Sequence, residues 1–235
     1  MKKYTYEDFL EIIKTLRSEN GCPWDKEQTH MSLRSCLMEE AAEVLAGIRI
    51  YEETGNYENL REELGDVLLQ VVMHAQIAKE EGIFDMEDVV NEVAEKMIRR
   101  HPHVFGTVSV EGSGQVLENW EEIKKKEKEG KQSAVSPLRE IPIELPALTR
   151  ATKVAKKADK LYEPGRDYEA CISALEEAVR VLKLCQPPED QEKVEKQIGD
   201  ILLSVADISR IWKLTPEQIL NDRIDNVIAK YDIEN

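Results

Sequence analysis

The chain has 235 residues, 41% hydrophobic and 34% charged, which is enough apolar material for one sizeable core or two smaller ones in a globular protein. Its formal charge of −15 excludes a nucleic-acid polymer as a general partner, because phosphate backbones are held by clustered basic residues. No stretch reaches the roughly 18 apolar residues of a membrane span, and the opening MKKYTYEDFLEII carries charges where a secretory signal is apolar, so the expected location is the cytoplasm.

Apolar residues recur at spacings of three and four, as in Phe9, Ile12, Ile13 and Leu16, and no alternating strand pattern appears, so the fold class is all-α. Thr5 with Asp8 opens a first helix that Gly21 ends. A second runs from about Met31 to Glu53 before the turn Thr54-Gly55-Asn56, and a third continues to Glu81, stopped by Gly82. Asp85 with Asp88 caps a fourth that His101-Pro102 closes, and a highly charged fifth covers roughly Gly114 to Lys128. Pro137, Pro142 and Pro146 mark residues 131–146 as a connector between an N-terminal domain, 1–130, and a C-terminal domain, 147–235. Helices follow near Ala147 to Lys160, Asp167 to Cys185 and Glu189 to Trp212, with a last one opened by Thr215-Pro216-Glu217-Gln218. Cys22, Cys36, Cys171 and Cys185 have no C-x-x-C spacing and read as small apolar groups rather than a disulfide framework.

The two halves resemble each other. Leu37-Met38-Glu39-Glu40-Ala41-Ala42-Glu43-Val44-Leu45 aligns with Ala174-Leu175-Glu176-Glu177-Ala178-Val179-Arg180-Val181-Leu182, and Leu64-Gly65-Asp66 aligns with Ile198-Gly199-Asp200. The chain thus reads as two tandem helical repeats. Gly65 and Gly199 fall at equivalent mid-helix positions, where glycine is costly, so close helix approach is expected there. The second copy replaces Glu43 by Arg180, Glu63 by Gln197 and Glu62 by Lys196, so it is expected to keep the packing and lose the site.

That site is a set of carboxylates. Glu40 and Glu43 lie about 60° apart on one helix and Glu63 and Asp66 repeat the arrangement on the next, so antiparallel packing would aim four acids into one gap. Hard oxygen donors without neighbouring His or Cys favour Mg²⁺ or Mn²⁺, and Mg²⁺ commonly works on phosphates. Glu39 is the candidate base for a water molecule. Lys96, Arg99 and Arg100 are candidate phosphate contacts, although cations at a helix C-terminus also complement its dipole. Lys124 is a further candidate, and Trp24 fits either stacking on a base or packing in the core. Glu62, Glu80 and Glu121 read as solvated helix faces.

Several motifs in one order carry a family resemblance: Gly21-Cys22-Pro23-Trp24-Asp25-Lys26-Glu27-Gln28-Thr29, the E-E-x-x-E and E-x-x-D pair, Arg99 through Phe105, Trp120 through Lys124, and Leu145-Pro146-Ala147-Leu148. Through them the chain resembles MazG, a nucleoside triphosphate pyrophosphohydrolase family of the all-α NTP pyrophosphatases. The resemblance implies two MazG-like bundles, a homodimer, and hydrolysis of an NTP or dNTP to monophosphate and pyrophosphate by water attack at the α-phosphorus under Mg²⁺. By the same resemblance Glu40, Glu43, Glu63 and Asp66 are metal ligands and Lys96, Arg99 and Arg100 contact phosphate, in a role of nucleotide house-cleaning. The alternatives are an inorganic pyrophosphatase, a hydrolase of one modified nucleotide, and a non-catalytic helical module that binds a regulatory partner.

Overall fold

The computed structural model describes residues 2–128, 136–162 and 167–232, and among them every regular element is helical. The chain divides into two compact units, Met1–Glu129 and Gly130–Asn235. Residues 131–135 of the expected connector lie outside the described residues, while Pro137–Glu140 forms a 3₁₀ turn that packs on the helix Ala147–Leu161 of the second unit.

In the first unit, α1 (Tyr6–Leu16) opens on a capping box in which the Thr5 hydroxyl accepts from the Asp8 backbone and the Asp8 carboxylate accepts from that of Thr5. Its stop is steric. A Cβ at Gly21 would lie 2.3 Å from the carbonyl oxygens of Thr15 and Leu16, so only glycine lets the chain fold back over the helix end. A short α2 (Pro23–Glu27) then begins on proline. The next long helix starts at Arg34 rather than near Met31, because Thr29 and Ser32 exchange side-chain to backbone hydrogen bonds that hold a turn in place of helix.

That helix, α3 (Arg34–Thr54), and α4 (Glu58–Glu80) pack as an antiparallel hairpin around Gly55, whose φ of 73° suits glycine. The C-terminal half of α4 supplies the core: Val72, Met73 and Ile77 cluster with Ile13 of α1 and Leu33, while Phe9, Leu10, Leu69 and Met86 cover them. Its N-terminal half is left free for other work. α5 (Met86–Arg100) starts on the Asp85–Asp88 capping box, α6 (Pro102–Phe105) follows the proline turn, and α7 (Ser113–Lys128) returns to pack on α5.

The expectation of close approach at Gly65 and Gly199 is wrong, since a Cβ at either would meet nothing within 4 Å. Gly47 is the contact point. A Cβ there would stand 2.9 Å from the Leu60 Cα, so α3 and α4 touch backbone to backbone two turns from Gly55. Gly65 instead faces open space, and Leu64 and Leu68 of α4 and Leu45 and Ile48 of α3 are each exposed.

In the second unit α8 (Ala147–Leu161), α9 (Tyr168–Leu182), α10 (Gln191–Ile211) and α11 (Pro216–Asp232) surround Cys171, Ala178 and Ala206. α10 packs on both α8 and α9. The buried Asp207 is satisfied by Arg210, whose Nε donates at 2.6 Å, and by the Cys171 thiol at 3.4 Å. All four cysteines are free, as their spacing predicts.

Candidate functional site

The α3–α4 hairpin sets the register of the carboxylates. Gly47 sits against Leu60, and one turn along the pair Glu43 and Glu63 interact, followed by Glu40 and Asp66. Carboxylate oxygens of Glu40, Glu43 and Glu63 lie within 4.8 Å of one another. Partial burial and then the charges of Asp66, Glu43 and Glu63 hold the Glu40 carboxyl above its usual range, and burial and Glu43 do the same to Glu63. Raised in the folded state, these groups stabilise the fold only while protonated, and that contribution is lost as pH rises through the folded values. A divalent cation removes the conflict.

Among the described residues no lysine or arginine pairs with Glu40, Glu43, Glu63 or Asp66, so their charge is unanswered by the protein. Three of the four expected acids, Glu40, Glu43 and Glu63, converge, while Asp66 lies near enough to act on Glu40 by charge but is not one of the three; oxygen donors of this kind suit a hard divalent cation. The site is approachable, because Glu43 is exposed while Glu40, Glu63 and Asp66 are half-buried. Glu39 is exposed on α3 beside Glu40 and does not join the three converging carboxylates. One participant escapes sequence reading: the Asn59 amide donates to Glu63 Oε1 at 2.8 Å and offsets part of the rise that burial and Glu43 impose on that carboxyl.

The basic candidates stand on α5 and α7. Arg99 and Arg100 both grip Glu127, with Nε of Arg99 at 2.7 Å and Nη2 of Arg100 at 2.6 Å, and Arg100 also lies over the Trp120 ring. Lys96 is half-buried one turn away, and Lys124 pairs with Glu121 on its own helix at 2.9 Å. His101 is a turn residue, its Nδ1 on the Met97 carbonyl and its ring edge-on to Trp120. The Arg100 and Arg99 hydrogen bonds depress the Glu127 carboxyl to about 2. The clasp therefore contributes stability above the unfolded value near 4.5 and loses it as pH falls through 2. In an NMR titration the Glu127 carboxyl is expected to shift with a midpoint of about 2, and an ordinary midpoint near 4.5 would show that no clasp forms.

Trp24 is 60% exposed, which removes the core reading and leaves it on the surface of α2. Glu80 is exposed as expected, and it also carries an ion pair that its sequence position does not reveal. Arg17, unnoticed in the sequence, is buried between α1 and α4, where its Nε and Nη2 hold Glu80 and its Nη1 donates to the carbonyls of Asp25 and Gln28. This guanidinium anchors the segment that bears Trp24.

The second unit carries a different electrostatic arrangement at the residues that align with these acids in sequence. Glu177 is paired with Arg180 at 2.6 Å and Asp200 with Lys196 at 3.1 Å, in a groove that Gln197 also lines. Each acid there already has its cation.

Three carboxylates gathered on one helical hairpin make this the candidate metal site of an all-helical unit. Residues 28–105 match the family model described as the MazG nucleotide pyrophosphohydrolase domain, a span that contains the whole carboxylate set together with Lys96, Arg99 and Arg100. The chain is 38% identical over 226 residues to the nucleoside triphosphate pyrophosphohydrolase/pyrophosphatase MazG of Thermotoga maritima, covering 96% of this chain and 84% of that protein. It is 40% identical over 207 residues to the nucleoside triphosphate pyrophosphohydrolase of Escherichia coli K12, covering 86% and 76%. YabN of Bacillus subtilis, an uncharacterized protein, is 41% identical over 218 residues, and the chain spans 43% of its length. The chain belongs to the MazG family, and its enzyme class is nucleotide pyrophosphohydrolase.

Proposed function

We propose that the protein hydrolyses nucleoside triphosphates, ribo or deoxy, to the monophosphate and pyrophosphate with Mg²⁺ as cofactor, clearing unwanted nucleotides in the cytoplasm. The observation that carries this reading is the unpaired carboxylate cluster of the α3–α4 hairpin, inside the region that matches the family model. Mn²⁺ fits the same donors. When bound, the cation supplies charge neutralisation along the phosphate chain and acidifies water.

The protein's own groups divide the remaining tasks. Glu40, Glu43, Glu63 and Asp66 hold the cation; Glu39, exposed beside them, orients and deprotonates the water that attacks the α-phosphorus. Lys96, Arg99, Arg100 and Lys124 take up phosphate charge, Arg99 and Arg100 exchanging Glu127 for phosphate oxygens of like charge. Trp24 offers its exposed ring to the base. The active site belongs to the first of two tandem MazG-like repeats, joined by a linker within residues 131–146, and the second repeat serves as scaffold. The exposed apolar side chains Leu45, Ile48, Leu64 and Leu68 on α3 and α4 support a homodimer of helical bundles, whereas no described helix is long and apolar enough to cross a membrane. The net charge argues against a nucleic-acid polymer as partner.

Hydrolysis of an NTP panel in H₂¹⁸O with Mg²⁺ tests the reading. The expected products are monophosphate carrying ¹⁸O and unlabelled pyrophosphate. Label in pyrophosphate would place attack at the β-phosphorus and refute the mechanism; release of phosphate from pyrophosphate alone would make the protein an inorganic pyrophosphatase. Turnover of a single modified nucleotide would narrow the substrate. No Mg²⁺ or Mn²⁺ binding in calorimetry, with or without a non-hydrolysable NTP, would favour a regulatory module.

A further inference from the structure

The closest approach of α3 to α4 and the orientation of Glu63 meet in one side chain. Asn59 lies in the first turn of α4, half-buried, four residues before Glu63 and therefore on the same face of the helix. Its Nδ2 donates to Glu63 Oε1 at 2.8 Å. Its Oδ1 is only 3.1 Å from where a Cβ of residue 47 would stand, and Gly47 is buried with the Leu60 backbone closer still. Any side chain at 47 would press on both the α4 backbone and the Asn59 amide. Glycine at 47 thus gives the amide its room.

The remaining carboxylates have no such support. Among the described residues Glu40 and Glu43 hydrogen-bond only with each other, and no side-chain amide donates to Glu40, Glu43 or Asp66. Glu63 is different: one of its oxygens is held by a neutral donor, which fixes the rotamer without cancelling the charge. A lysine or arginine in that place would neutralise the group, as Arg180 does to Glu177 in the second unit. An amide restrains Glu63 and leaves its second oxygen available.

We propose that Asn59 is a positioning residue of the cation site, holding Glu63 toward Glu40 and Glu43, with Gly47 supplying the space that this hold requires. The proposal rests on the reading of the carboxylate cluster as a divalent-cation site. Hydrogen bonds to ligating carboxylates and imidazoles are worth about 10–100-fold in metal affinity elsewhere, and the same range applies here.

The test uses Mn²⁺ alone as probe, with free Mn²⁺ read by electron paramagnetic resonance on the full chain. Asn59→Leu keeps the side-chain volume and removes the donor. It is expected to weaken Mn²⁺ binding about 10-fold or more, while thermal unfolding of the cation-free protein still shows a folded helical chain. Asn59→Ser, a shorter donor, keeps the fold without spanning the distance and is expected to behave like Asn59→Leu. In a Glu63→Gln background Asn59→Leu is expected to change Mn²⁺ affinity no further, which separates action through Glu63 from general loosening of the hairpin. Wild-type affinity in folded Asn59→Leu, or an additive loss in the double variant, would overturn the role of Asn59 alone. Absence of Mn²⁺ binding by the wild-type chain would overturn the cation site and this proposal together.

Discussion

Glu43→Gln is expected to reduce Mg²⁺-dependent NTP turnover by about 10³-fold, close to 4 kcal/mol of transition-state stabilisation, with helical content unchanged. Glu43 is exposed and stands outside the core cluster, so the substitution removes one charged oxygen donor and leaves the packing in place. Its second effect runs the other way. Glu43 is the charge that most raises Glu63, so the cation-free variant is expected to unfold at a higher temperature than the wild type, while the upward shift that Mg²⁺ gives the wild type disappears. Lower stability with undiminished turnover would make Glu43 a surface residue. The internal control is Asp200→Asn in the second unit: Asp200 is bound to Lys196 at 3.1 Å and its loss is expected to leave turnover within about two-fold. Turnover that survives Glu43→Gln and fails with Asp200→Asn would move the active site to the second unit.

Arg17→Met carries the largest expected cost in stability, about 2–3 kcal/mol, or roughly 10 °C in the unfolding of the first unit. The Arg17 side chain is 5% exposed and meets Glu80 at 2.8 Å, and it also satisfies two carbonyls at the end of α2. Methionine of similar length fills the space but strands those carbonyls. The cost stays at the low end for a buried pair because Glu80, at 37% exposure, can turn to water. Burial raises the Glu80 carboxyl, yet hydrogen bonds from Arg17 and Gln76 outweigh it and leave the group below its ordinary value. The stabilisation is therefore present above the unfolded carboxylate range and fades as pH falls through the folded one. In urea unfolding the gap between Arg17→Met and wild type is expected to narrow on acidification, and a gap independent of pH would assign the loss to packing instead. Because the same guanidinium fixes the Trp24 segment, the variant is also expected to raise the KM for NTP more than it lowers kcat.

How far each of these sites can be read in the sequence depends on the range of the interaction. Glu40 and Glu43 declare themselves by spacing on one helix, as do Glu63 and Asp66, because the rise and turn of an α-helix fix which residues share a face. The Thr5–Asp8 and Asp85–Asp88 capping boxes are equally legible, each being complete within four residues. Arg17 and Glu80 are 63 positions apart, and as isolated letters they are two more charged residues in a chain rich in them. Glu127 is hidden in the same way, drawn from a charged helix to two arginines 27 and 28 residues away. Asn59 has the correct local spacing to Glu63, but its significance comes from the neighbouring helix, where Gly47 leaves it room.

The two mid-helix glycines teach the same lesson in reverse. Gly65 and Gly199 attract attention by their place in the repeated segments, yet both face open space, and the tight contact belongs to Gly47. A glycine's propensity cost is a local quantity, whereas the neighbour that justifies it is set by helix crossing. The sequence by itself determined that this chain is helical and that its acids fall in two helix-spaced pairs. Only the tertiary structure decided the register that brings Glu43 to Glu63 and Glu40 to Asp66, since side-chain periodicity fixes the face of each helix but not where one helix lies along the other.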